Sequence, residues 1–171
     1  MKMRRVRLLL GLLALLLTAC GGSQQQQPKS FMNVLTPDDS LSIAMANWVL
    51  MKYHSDKLSM DIDYPSFLVR QNVPDDEGLQ EVFLWRDVSV SVIVDSLNGW
   101  TRSAGQMLSG MGAELVEVGD DYSIHTGVDD QWEFYAKIIE RDPQRLVTVL
   151  LRYAPEHAEA MEQIKEWVRD F

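Results

Sequence analysis

The chain has 171 residues, with 16 Lys and Arg against 25 Asp and Glu, a formal charge of −9. So acidic a surface repels phosphate backbones and anionic headgroups, which argues against nucleic acid as a partner. A single cysteine excludes an intramolecular disulfide, so stability has to come from an apolar core of one domain's size.

The first twenty residues carry the most information. Lys2, Arg4, Arg5 and Arg7 make a basic start, and Leu8 to Leu17 is an apolar run too short to span a bilayer. That layout is a secretory signal. Its ending, Leu17-Thr18-Ala19-Cys20, resembles the lipobox of bacterial lipoproteins. The resemblance implies that residues 1–19 are a signal peptide cleaved after Ala19. It also implies that Cys20 receives a diacylglycerol thioether and that the new N-terminus is acylated, as by palmitate. Cleavage would leave 12 Lys and Arg against 25 Asp and Glu, a formal charge of −13. Membrane attachment would then rest on the lipid anchor, since two or three acyl chains hold a protein firmly. Gly21 stands where many Gram-negative lipoproteins carry the aspartate that retains them in the inner membrane. The expected location is therefore the bacterial cell envelope, at the outer membrane and facing the periplasm.

Residues 20–30 read as a flexible tether. Gly21-Gly22-Ser23-Gln24-Gln25-Gln26-Gln27-Pro28-Lys29-Ser30 has no apolar periodicity and cannot offset the entropy of ordering. Ten such residues span about 15–20 Å root-mean-square.

Residues 31–171 read as a single α+β domain. Thr36-Pro37-Asp38-Asp39-Ser40 opens a short helix, with Leu41, Ala44, Met45 and Trp48 at helical spacing. Val49 to Tyr53 follows as a strand. Leu58, Met60, Ile62 and Tyr64 alternate with Ser59, Asp61 and Asp63, the period of a half-buried strand that Pro65 ends. An Asp75-Asp76-Glu77-Gly78 turn leads into a strand at Glu81–Trp85, and Val88, Val90, Val92 and Val94 make the next. Trp100–Met111 reads as a helix with Trp100, Ala104, Met107, Leu108 and Met111 on one face and Gly112 at its end.

Short strands are expected at Glu114–Val118 and Tyr122–Thr126, and longer ones at Trp132–Glu140 and Leu146–Tyr153. Arg141-Asp142-Pro143-Gln144-Arg145 is a five-residue connection between the last two, which makes them an antiparallel hairpin. Pro143 suits the first central position of its turn. A last helix runs from Pro155 to Phe171, with Ala158, Met161, Ile164, Val168 and Phe171 as its buried stripe.

Several of these elements together resemble the PsbP-like superfamily. They are the Ile62-Asp63-Tyr64-Pro65 strand, the valine strand, the middle helix, the Phe134-Tyr135-Ala136-Lys137 strand and the Tyr153-Ala154-Pro155-Glu156 junction into the last helix. The resemblance covers about residues 48–171. It implies an antiparallel sheet packed by helices, an α/β/α sandwich, and a non-catalytic accessory or assembly role at membranes. It brings no invariant catalytic residue to any position here.

The residues themselves offer little chemistry. Ser109-Gly110-Met111-Gly112 has its glycines on the wrong side for a nucleophile elbow. His54, His125 and His157 stand without companions at fixed spacing, so neither a catalytic triad nor a zinc site is expected. Asp120-Asp121 and Asp129-Asp130 read as hairpin turns flanking a strand, at most weak calcium ligands. Gly105 to Gly110 has the interval of a P-loop, but Met111-Gly112 replace the required Lys and Ser/Thr. No catalytic residue, metal or cofactor is expected.

Five tryptophans are many for a small domain. Trp132 and Phe134 share one face of their strand while Tyr135 takes the other. Helices covering both faces account for this, or else Trp132 and Phe134 anchor a partner. The expectation is a non-catalytic envelope lipoprotein acting as a protein-interaction, accessory or assembly module, with an envelope protein as partner. The alternative is a small-molecule or lipid carrier with a pocket between sheet and helix.

Overall fold

The computed structural model describes residues 37–74, 79–96 and 104–171. The expected signal peptide, Cys20, the expected tether, the expected turn at residues 75–78 and Trp100 lie outside the described residues. Helix α1 spans Pro37–Met45. Proline sets the backbone angle for a first turn, and Leu41 is buried in the core with Ala44 and Met45 packed beside it. Strands β1 (Leu50–Ser55) and β2 (Met60–Pro65) pair antiparallel as a separate two-stranded sheet. Ile62 is fully buried while Asp61 and Asp63 are exposed. The alternation expected from Leu58 is real, but Leu58 lies in the turn before the strand, where its amide donates to Ser55 Oγ at 3.1 Å.

The main sheet has seven strands. They are β3 (Val69–Gln71), β4 (Gln80–Trp85), β5 (Val88–Ser96), β6 (Glu114–Val118), β7 (Tyr122–Asp129), β8 (Trp132–Asp142) and β9 (Arg145–Tyr153). Their spatial order is β3-β4-β5-β9-β8-β7-β6, and every neighbouring pair is antiparallel. Two meanders, β3 to β5 and β6 to β9, are thus joined through the β5–β9 pair.

Two findings depart from the sequence expectation. Strand β3 is three residues long, too short to show a period. The β8–β9 connection is a two-residue turn rather than five residues, because both strands extend toward it past a bulge between Glu140 and Asp142. Pro143 is at the expected turn position, and the Gln144 amide donates to Asp142 Oδ1 at 2.9 Å.

The period-two pattern divides the sheet into two faces. Val88, Val90, Val92 and Val94 of β5 and Val147, Val149, Leu151 and Tyr153 of β9 point to one core. Helix α3 (Ala158–Asp170) covers this face with Met161, Ile164, Trp167 and Val168, assisted by α1 and the β1–β2 hairpin. Fully burying an aliphatic side chain contributes about 1.5–3 kcal/mol, so this interface is the main source of stability.

Helix α2 (Ala104–Gly110) covers the other face, where Leu108 meets Phe134, Ala136 and Leu150. Gly112 follows it at φ 70°, and the Ala113 amide reaches back to the Leu108 carbonyl at 3.0 Å. That is the glycine-terminated end expected from the sequence. The chain is therefore an α+β protein, an antiparallel sheet packed by helices on both faces. Among the described residues no helix is long and apolar enough to cross a membrane.

Some polar groups against the core are partnered, whereas Thr148 Oγ1 is buried with no hydrogen-bond partner among the described residues. Lys137 of β8 donates from Nζ to the Arg169 carbonyl at the end of α3 and lies 4.7 Å over the Tyr122 ring. A cation there satisfies an orphan carbonyl and complements the helix dipole. Burial pushes the Lys137 amine below its usual range. Arg86 Nη1 donates to Ser40 Oγ at 2.7 Å, tying α1 to the β4–β5 turn.

Candidate functional site at one end of the sheet

Strand register decides which loops meet. Val88 of β5 lies opposite Tyr153 of β9, and Tyr153 lies opposite Glu133 of β8. The β4–β5 turn, the first residues of β8 and the exit from β9 therefore share one end of the sheet. Arg86 makes the β4–β5 turn with φ 50°, and Asp130 makes the β7–β8 turn with φ 57°. Beyond Tyr153 the chain enters a 3-10 turn, Pro155–His157, where Pro155 begins the turn and the His157 amide returns to the Ala154 carbonyl at 2.9 Å. That turn swings the chain from sheet to α3.

His157 is consequently driven inward and is 1% exposed. Its Nε2 lies 3.0 Å from Asp87 Oδ2 of the β4–β5 turn. Glu156, its exposed neighbour, brings a second carboxylate, and one donor atom from each of the three residues lies within 4.8 Å of the others. Sequence reading left His157 alone, because Asp87 is 70 residues away along the chain and only the β5–β9 pairing joins them.

Two clefts open here. One of about 380 Å³ is lined by Asp87, Gln131, Trp132, Ala154, Pro155 and Glu156. The other, of about 260 Å³, is lined by Leu84, Arg86, Asp87, Ser89, Trp132 and Arg152. Trp132 and Asp87 belong to both, so the indole stands between them. Arg152 Nη2 pairs with Asp129 Oδ2 at 2.9 Å, while Arg152 Nε is buried with no hydrogen-bond partner among the described residues.

The expected pair of partner contacts separates. Trp132 is half-buried at the clefts, but Phe134 is 1% exposed beneath α2, against Leu108, Ala136 and Leu150. Phe134 is a core residue and not a surface anchor, because α2 covers its face of β8.

The other histidines also have companions that spacing did not reveal. His54 Nδ1 lies 2.7 Å from Asp61 Oδ1 across the β1–β2 pair, and its Nε2 lies 3.5 Å from Asp56. His125 Nε2 lies 3.0 Å from Ser123 Oγ on the same face of β7, and burial lowers the imidazole's proton affinity. No carboxylate completes the Ser123–His125 pair among the described residues. The acidic turns Asp120-Asp121 and Asp129-Asp130 stand at opposite ends of β7, with Asp129 held by Arg152.

No protein-family model and no curated protein matches the chain. Among solved structures, the solution structure of cyanobacterial PsbP (CyanoP) from Synechocystis sp. PCC 6803 is similar. It shares 16% identity over 71% of this chain and 89% of that one, with a TM-score of 0.49.

Proposed function

We propose that this chain is a non-catalytic accessory or assembly module of the bacterial envelope, held by lipid on Cys20 and acting through contacts with an envelope protein. The observation that carries the reading is the Leu17–Cys20 motif, followed by a polar tether and an acidic folded domain. The packing supports contact over carriage. Met161, Ile164 and Val168 are fully buried against the core strands, so side chains fill the middle of the α3 interface, and an open cleft of about 310 Å³ lies beside the end of α3, among Leu50, Met60, Arg141 and Phe171. Leu115, Val116 and Val118 on the outer strand β6, with Val128 on β7, expose apolar side chains suited to a protein contact.

The outer membrane, on its periplasmic side, is the proposed address. The test is fractionation of the parent and Cys20→Ser in the native envelope, followed by cross-linking and mass spectrometry of the anchored form. Cys20→Ser should leave the membrane fraction or fail to mature. A variant that fractionates and migrates like its parent overturns the lipid anchor. An anchored protein that cross-links to no envelope protein overturns the interaction reading.

A further inference from the structure

We propose that Asp87, Glu156 and His157 form a binding site for a first-row divalent metal ion such as zinc, with the cleft beside Trp132 supplying the remaining coordination positions. The chemistry of the donors selects the class of ion. An imidazole among the ligands favours zinc and its neighbours over calcium or magnesium, which prefer oxygen alone. Two carboxylates with a neutral imidazole balance a dication's charge.

The spacing fits. Metal–nitrogen and metal–oxygen bonds of about 2.0–2.2 Å place adjacent ligand atoms about 3.0–3.6 Å apart. His157 Nε2 and Asp87 Oδ2 are 3.0 Å apart, and all three donors lie within 4.8 Å. Burial of His157 at 1% exposure, locked between the β9 exit and α3, fixes the ring's direction before any ion arrives. Supporting contacts of that kind are what hold metal ligands in place.

The cleft is an independent observation. Asp87 and Glu156 both line the opening of about 380 Å³ with Gln131 and Trp132, so an ion held there is reachable and retains open positions. Three protein ligands with an open side make an accessible site rather than a closed structural one. The ion would also tie the β4–β5 turn to the start of α3, two elements joined there by the His157–Asp87 contact. The competing account is an ion pair between His157 and Asp87 with Glu156 a bystander. The two accounts differ on Glu156.

The experiment uses the full-length chain in detergent, stripped with chelator. It is titrated with zinc by calorimetry and with cobalt by visible absorption, and melted with and without each metal. The parent should bind one ion more tightly than Glu156→Gln by about tenfold or more, and its melting midpoint should rise with metal. Glu156 is exposed, so Glu156→Gln should melt like the metal-free parent and keep the comparison free of misfolding. His54→Ala removes the other His–carboxylate group, His54 with Asp61 and Asp56, and should leave binding unchanged. No binding by the parent, undiminished binding by Glu156→Gln, or loss of binding in His54→Ala would each overturn the site.

Discussion

Arg70 Nε donates to the Glu81 carboxylate at 2.9 Å, and Glu81 is only 2% exposed. The two are diagonal neighbours on the core side of β3 and β4, with Arg70 directly opposite Phe83. Ser55 of β1 adds a second hydrogen bond to Glu81, at 2.7 Å, and the Arg70 guanidinium lies 4.5 Å over the Tyr53 ring. One buried carboxylate thus ties the two-stranded sheet to the edge of the seven-stranded one.

Removing Arg70 strands that carboxylate. Breaking a buried pair costs about 3–5 kcal/mol, whereas replacing both partners by apolar groups is often neutral. Arg70→Met should lower stability by about 1–3 kcal/mol in urea denaturation, less than for a fully buried pair because Arg70 is 39% exposed and Ser55 remains. The double variant Arg70→Met/Glu81→Leu should recover much of the loss. A double variant as unstable as the single one would show that the pair is not coupled.

The same network gives a pH dependence. Burial pushes the Glu81 carboxyl up, but the hydrogen bonds from Arg70 and Ser55 and the Arg70 charge outweigh it and hold the group below its usual range. A lowered folded pKa means stability that is complete above the unfolded value, about 4.3, and lost as pH falls through the folded value. The stability gap between the parent and Glu81→Gln should be full at neutral pH and shrink below about pH 4. A gap constant from pH 7 to pH 3 would contradict the assignment.

Helix α3 is a core element. Ile164 is fully buried and Glu166 is exposed. Ile164→Ala should cost about 2–5 kcal/mol, a large share of a domain's roughly 5–15 kcal/mol. Glu166→Ala should change little. Equal, small effects on the denaturation midpoint would mean that the helix is not docked on the sheet.

How much of this was legible follows from what each residue needs. The valine strand and the α3 stripe were readable because burial on one face imposes a period on the chain itself. Trp167 was not in the expected α3 stripe; it lies next to Val168 on the buried side and forms an edge contact with Phe171 at 5.9 Å. The site at the sheet end was not legible. Its geometry depends on register, Val88 against Tyr153, and no local pattern announces a pairing across that distance in sequence. Phe134 stayed open between helix-covered core and partner contact for the same reason, since its cover, α2, arrives from another part of the chain.

Gly127 and Phe134 supply the last prediction. They lie directly opposite each other in the β7–β8 pair, and a Cβ on Gly127 would stand 2.6 Å from Phe134 Cζ. The ring lies over the bare backbone of the glycine, the arrangement by which an aromatic covers a strand glycine across the ladder. Phe134 is packed by Leu108 and Leu150 and cannot swing away cheaply. Gly127→Ala should therefore destabilise by about 1–3 kcal/mol through overpacking. Gly110→Ala should not clash, since nothing lies within 4 Å of a Cβ there. Phe134→Leu removes the ring and costs stability on its own, yet in that background Gly127→Ala should cost clearly less than in the parent. A double-mutant cycle in urea reads the coupling directly. A Gly127→Ala cost that is the same in both backgrounds would show that the ring is not what requires the glycine.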